Sequence, residues 1–161
     1  MTAVAALSER ATIRRADLFD LPAIKRLGRD FFEAAQWSDI ADWDEASAER
    51  TALSLIGGVV PGGLLIAETA DETVGMAGYV LFPFSFNHAL LIAQEMFWYV
   101  DPKHRFGAGR DLMDALEESA RAQGATVLIM ASIAGLRDAA VARLYARRGY
   151  RPAENTFVKR L

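Results

Sequence analysis

Residues 64 to 100 constrain the fold most. They read "LLIAETADETVGMAGYVLFPFSFNHALLIAQEMFWYV", three apolar runs broken only by "ADE" and by a short segment around Ser85. The runs are rich in β-branched and aromatic residues, and the helical period of the preceding segment stops where they begin, so strands are expected. "ADE" predicts a hairpin between the first two runs, residues 84–89 a loop, and "LLIAQEMFWYV" (90–100) a third long strand. Three successive strands this apolar must be covered by helices from elsewhere in the chain.

The flanks supply the cover. "ATIRRAD" is a short β-like stretch closed by Asp17 and Asp20, either of which can cap a helix, with Pro22 in the first turn. Leu21, Ile24, Leu27 and Phe31 then recur at helical spacing to about Ala35, and Asp44 opens a second helix through Ile56. Beyond the strands, Leu112, Met113, Leu116 and Ala120 define one face of a helix that Gly124 terminates. "TVLIMAS" (126–132) reads as a buried strand and "LRDAAVARLYARRG" as a helix stopped by Gly149. The tail "YRPAENTFVKRL" is strand or coil, confined to an edge or bend by Pro152. The expected fold is α/β (α+β), one domain over residues 1–161 in the order βααβββαβαβ, with a central mixed twisted sheet and helices on both faces.

Composition narrows the functions. At 161 residues, 52% hydrophobic and 24% charged, the chain has the makeup of one soluble globular domain. A net charge of −3 argues against a surface built for nucleic acid or anionic membrane, so an anion site has to be a local basic patch. The absence of cysteine removes disulfides, thiolate metal ligands and thiol nucleophiles. No signal peptide or membrane span is read from the sequence, and a cytoplasmic location is expected.

Three features carry possible chemistry. Gly107-Ala108-Gly109 opens a helix beside Lys103, Arg105 and Arg110, as a phosphate cradle would, although a plain strand-to-helix turn needs glycine too. It is neither a Walker A loop nor the dinucleotide fingerprint. Glu95 lies inside an apolar strand, with Phe97 and Tyr99 expected on its face, so burial would raise its pKa toward that of a general base. Taken alone, a strand end near solvent or an arginine partner is the plainer explanation of this residue. Tyr145 lies beside Leu144 at the edge of a helix's buried face, where a tyrosine can simply pack and hydrogen-bond.

Taken together, "EMFWYVDPKHRFGAGRDLM" and "VARLYARRGYRP" resemble the two core motifs of the GNAT acetyltransferase superfamily, and the element order extends the resemblance to nearly the whole chain. "VGMAGYVLFPFSFN" ahead of "EMFWYVDP" is similar to a phage-associated bacterial branch. The resemblance implies an acetyl-CoA-dependent N-acetyltransferase without a metal. Pantetheine would pair with the main chain around Trp98, Tyr99 and Val100, and the pyrophosphate would rest on Arg105, Phe106, Gly107, Ala108, Gly109 and Arg110. Asp138 replaces an asparagine often found seven residues before the tyrosine, and belongs to the same coenzyme-binding set. His104 falls where the family has Gln or Arg; Arg105 fits if the loop is one residue shorter. Met130 occupies the place where some relatives carry a catalytic glutamate, which leaves Glu95 as the better candidate for the base.

The implied mechanism is direct transfer. Glu95 takes the proton of an amine, a main-chain N–H of the strand ending at Val100 holds the oxyanion, and Tyr145 protonates the departing thiolate. The acceptor amine would lie among Phe32, Trp37, Trp43 and the loops near Phe84 and Asn155, with Glu33, Asp39 and Asp42 available to a cation. The partners expected are acetyl-CoA and an amine of a small molecule, protein or peptide, with no nucleic acid and no membrane. Open edge strands are compatible with a homodimer. A non-catalytic acetyl-CoA-binding or interaction module is the alternative from another class. A nucleotide-binding regulatory domain fits less well, since "ATIRRADLFDLP" lacks the glycines of a first β-turn-helix.

Overall fold

The computed structural model describes residues 10–105 and 107–161; Phe106 and the first nine residues lie outside. The apolar runs form β2 (Gly62–Glu68), β3 (Thr73–Phe84) and β4 (Asn87–Val100), preceded by β1 (Thr12–Arg15), α1 (Leu21–Ala34) and α2 (Glu45–Ile56). They are followed by α3 (Ala108–Ala122), β5 (Val127–Ile129) and α4 (Asp138–Arg147). The sheet order is β1-β2-β3-β4-β5. All neighbours are antiparallel except β4 and β5, which run parallel.

Alternation within the strands divides the core between two faces. On one, Ile24, Leu27 and Phe31 of α1 and Ala52 and Leu55 of α2 pack on Leu64, Ile66, Met76 and Tyr99. On the other, Leu112, Leu116 and Ala120 of α3 pack on Leu65, Ala67, Ala77, Tyr79, Ala93 and Val100. Each large apolar side chain buried this way contributes roughly 1.5–3 kcal/mol. Tyr79 is fully buried and keeps its hydroxyl satisfied at 2.6 Å from Ser119 on α3. The start of the chain is tied in by Arg14. Its guanidinium donates two hydrogen bonds at 2.8 Å to Asp20, which is 6% exposed, and two more at 2.9 Å to Glu68 of β2. The Arg14 contact holds the Asp20 carboxyl below its ordinary range, against the opposing effect of burial.

Four expectations change. Residues 84–89 are not a loop: β3 and β4 continue to the pair Phe84↔Asn87, leaving a tight turn at Ser85 and Phe86. The strand expected over 126–132 is only Val127–Ile129. After α4 no strand follows among the described residues, and 151–161 are exposed. Pro152 withholds an N–H there, and β5 offers only three residues of edge to pair with.

The fourth change concerns β4. Phe97 pairs with Gly78 and Glu95 with Tyr79, so Met96 is an extra residue, a β-bulge. The Phe97 ring lies across Gly78 and leaves no room there for a Cβ. Past the bulge the alternation is inverted. Glu95 therefore shares the α3 side with its partner Tyr79, while Phe97 and Tyr99, expected beside it, pack toward α1 and α2.

Candidate active site

β4 and β5 pair only over Ile92–Gln94 and Val127–Ile129, and then part. The gap opens a cleft of about 400 Å³. Its walls come from β4, the turn into α3, the connection after β5, and the face of α4 carrying Arg137, Ala140, Val141, Leu144 and Arg147. α4 buries no side chain of its own. It is held to α3 by Arg148 on Asp114 and by the Tyr150 hydroxyl, which donates to Glu117 at 2.8 Å. A helix anchored through its far side in this way can stand off the sheet and leave the cleft open.

Glu95 and Tyr145 meet at one peptide. The N–H of Ala131 donates to Glu95 Oε2 at 3.1 Å, and the Tyr145 hydroxyl donates to the Ala131 carbonyl at 2.6 Å. Ala131 follows the point where β5 leaves the ladder, so two side chains take the backbone groups that a longer strand would have paired. Burial pushes the Glu95 carboxyl up to about 7, opposed only in part by the Ala131 N–H. Burial, and secondarily the charge of Glu95, raises the Tyr145 hydroxyl above its ordinary value, so it stays protonated at neutral pH. The Tyr145 ring lies between Trp98 and Tyr150, with centroids 6.1 Å and 5.4 Å away.

The turn into α3 is left-handed at Gly107 (φ 97°), a conformation that costs other residues about 1–2 kcal/mol. The Gly107 carbonyl accepts from Arg110 and Asp111, and the amides of Ala108 and Gly109, at the first helical positions, have no helical acceptor. At Gly109 a Cβ would meet the Trp98 ring at 3.5 Å and Val100 Cγ2 at 3.8 Å, both ordinary contacts, and the Gly109 carbonyl accepts the Trp98 indole N–H at 2.9 Å. Gly109 is thus not required by its backbone angles; its missing side chain lets the helix start lie close to the β4 wall of the cleft.

Of the residues expected to hold a coenzyme, Trp98, Tyr99, Val100, Arg105, Gly107, Gly109 and Arg110 line the cleft. Ala108 is 3% exposed and packs under the helix. Asp138 lies outside the lining, its carboxylate accepting from the amide of Ala139 at 2.9 Å. Phe106 lies outside the described residues. His104 faces Glu72 at 3.3 Å, while Arg105 lines the cleft, so of the two it is Arg105 that is placed for an anion.

On the acceptor side only Trp37 of the expected aromatic residues lines the cleft. Phe32 and Trp43 pack edge to face at 5.7 Å beneath Arg29, Phe84 sits at the hairpin tip beside Phe86, and Asn155 lies in the exposed tail. Glu33, Asp39 and Asp42 are exposed and outside the lining.

Sequence reasoning missed Arg137, Arg147, Ile133 and Leu136. The spacing of Arg137, Ala140, Val141, Leu144 and Arg147 on one helical face was a usable signal. Arg137 caps α4 in the left-handed region (φ 54°), a strain found mostly where function requires it. Arg105, Arg110, Arg137 and Arg147 line the cleft without a carboxylate partner among the described residues, and Glu95 is the single carboxylate of the lining. Four guanidiniums without a carboxylate partner among the described residues, a helix-start amide without a helical acceptor and an apolar strand wall suit a long anionic ligand. Among the described residues no group of three or more His, Asp or Glu is arranged to hold a metal, and no helix is long and apolar enough to cross a membrane.

Comparison with known proteins agrees with this geometry. No curated protein sequence matches the chain. A ribosomal-protein-alanine N-acetyltransferase from Brucella melitensis biovar Abortus 2308 superposes with a TM-score of 0.71 at 20% identity, over 93% of this chain and 99% of that one. An aminoglycoside acetyltransferase from an uncultured soil metagenomic sample gives 0.72 at 19% identity, over 94% and 98%. An integron cassette protein from the mobile metagenome of Cole Harbour Salt Marsh gives 0.72 at 20%, over 92% and 89%. At such identities these likenesses establish the fold alone. The sequence pattern of the Acetyltransferase (GNAT) family matches residues 22–150, a span holding the parted strands, the glycine turn and Tyr145. Because this match covers well over half of the chain, the chain belongs to the acetyltransferase (GNAT) family.

Proposed function

We propose that this chain is an acetyl-CoA-dependent N-acetyltransferase that moves an acetyl group directly to a primary amine of a small molecule or a peptide. The observation that carries the proposal is the convergence of Glu95 and Tyr145 on the Ala131 peptide within an arginine-lined cleft. Arg105, Arg110 and the amide of Gly109 would hold the pyrophosphate, with Ala108 packed beneath the turn, and the β4 main chain around Trp98 to Val100 the pantetheine arm. The coenzyme supplies an activated acetyl thioester: its C–S bond breaks as the C–N bond to the amine forms.

The chain's own groups handle the protons. Glu95, held up at about 7, is partly ionised at neutral pH and accepts the proton the amine must lose. Tyr145 keeps its proton and would give it to the leaving sulfur, its hydroxyl turning from the Ala131 carbonyl while its ring packs near Trp98 and Tyr150. A main-chain N–H of β4 would hold the developing oxyanion. The resemblance of "VGMAGYVLFPFSFN" and "EMFWYVDP" supports the phage-associated bacterial branch, and the enzyme would be cytoplasmic.

The test is thiol release from acetyl-CoA across a panel of amines and N-terminal peptides, by the wild type and by Glu95→Gln. Amine-dependent release that the substitution suppresses supports the proposal. Tight acetyl-CoA binding with no release on any acceptor would instead favour a non-catalytic binding module.

A further inference from the structure

We infer that the acceptor is an amine with a single positive charge on an apolar, aromatic or branched body, and that polycationic amines are disfavoured. This rests on the acetyl-transfer reading above. One wall of the cleft is built from Phe31, Trp37, Tyr99, Ile133 and Leu136. The aromatic members form a cluster: Phe31 and Trp37 meet edge to face at 5.2 Å, and Phe31 lies 5.7 Å from Tyr99. Ile133 and Leu136, from the connection after β5, pack against the same cluster and continue its surface. No charged side chain belongs to this wall.

The charges of the cleft point the same way. Its lining holds Arg105, Arg110, Arg137 and Arg147 against the lone carboxylate Glu95. When coenzyme phosphates neutralise the arginines, one acidic group remains, which can receive one ammonium. Every further ammonium of a polyamine would have to be placed against apolar side chains or beside guanidiniums, and neither compensates its lost hydration. The other acidic residues near this wall lie outside the lining: Glu33, Asp39 and Asp42 are exposed, Asp30 sits beside Arg26, and Asp101 accepts the Lys103 amide, although the charges of these last two reach Tyr99. An aromatic or branched body attached to a single amine gains instead by covering the Phe31–Trp37 surface, and a cation beside an indole face is itself stabilised.

Calorimetry on the coenzyme-A-saturated protein tests this with 2-phenylethylamine, spermidine and kanamycin as probes. Phenylethylamine should bind at least tenfold more tightly than either polycation. Trp37→Ala should weaken phenylethylamine about fivefold or more. Leu136→Glu, which adds a carboxylate to the wall without removing the aromatic cluster, should strengthen spermidine by about the same factor. Polycations binding as well as or better than phenylethylamine, or no amine binding at all, would overturn the inference, and so would indifference of phenylethylamine to Trp37→Ala in a folded variant. Thiol release is scored separately: its absence with every amine would sink the transferase reading while the binding preference still decides the inference.

Discussion

Glu95→Gln should make the protein more stable at alkaline pH while removing most of its activity. The Glu95 carboxyl, ordinarily near 4.5, is held up at about 7, chiefly by burial between the parted strands. In the unfolded chain it ionises near 4.5. Between these values the folded state keeps a proton that the unfolded state has lost, so stability falls as pH rises through the window from about 4.5 to about 7. At about 1.4 kcal/mol per pH unit the full penalty approaches about 3 kcal/mol. Glutamine cannot ionise, and its side-chain oxygen can still accept the Ala131 N–H.

Urea unfolding of both proteins from pH 4.5 to 8.5 measures this directly. The advantage of the variant should be small at the acid end and grow toward about 3 kcal/mol above pH 7, with the slope against urea unchanged. Parallel stability curves would refute the reasoning, because they would mean that the ionised carboxylate is as well solvated in the fold as outside it. Activity should move oppositely. Wild-type kcat/KM should rise with pH through about 7 as the carboxyl ionises, and the variant should be slower by roughly a hundredfold, with the deficit shrinking at high pH where the amine is already neutral.

Tyr145→Phe should lower kcat and kcat/KM together by roughly a hundredfold while acetyl-CoA still binds, as steady-state kinetics and calorimetry would show; loss of the bond to Ala131 should cost about 1 kcal/mol in stability. Gly109→Val should reduce acetyl-CoA affinity at least about tenfold, or about 1.4 kcal/mol by calorimetry, because a branched side chain there presses on Trp98 and Val100 of the cleft wall. Unchanged affinity in a folded Gly109→Val variant would assign the glycine to the turn alone. Arg14→Met leaves the Asp20 carboxylate with only the Asp17 amide and should cost about 1.5–3 kcal/mol in chemical denaturation.

The parts of the fold legible in the sequence are those fixed by local periodicity. Ile24, Leu27 and Phe31 on α1, and Leu112, Leu116 and Ala120 on α3, lie in the core as their spacing requires. Gly107 marks a left-handed turn, and Glu95 and Tyr145 could be singled out because each is a polar group set in an apolar pattern. What local reading misses depends on contacts between distant residues. The period-two rule put Phe97 and Tyr99 beside Glu95, and one bulged residue, Met96, reverses that; the bulge is fixed by pairing with Gly78 and Tyr79 on another strand. Nothing between Val127 and Ser132 signals that β5 stops at Ile129.

That early end is compensated by the same pair of side chains that the proposed chemistry uses. A strand parting from its neighbour exposes N–H and C=O groups that must find other partners. At Ala131 those partners are Glu95 and Tyr145, one strand and one helix away. The two residues therefore have a second task, holding the cleft open, and their substitution can disturb its shape as well as its proton transfers. Glutamine at 95 retains an acceptor for the Ala131 N–H, whereas phenylalanine at 145 abandons the carbonyl. If both variants lose activity alike but only Tyr145→Phe loosens the chain around Ala131, measured by amide exchange at residues 129–133, then the shared loss is chemical and the separate loosening is structural.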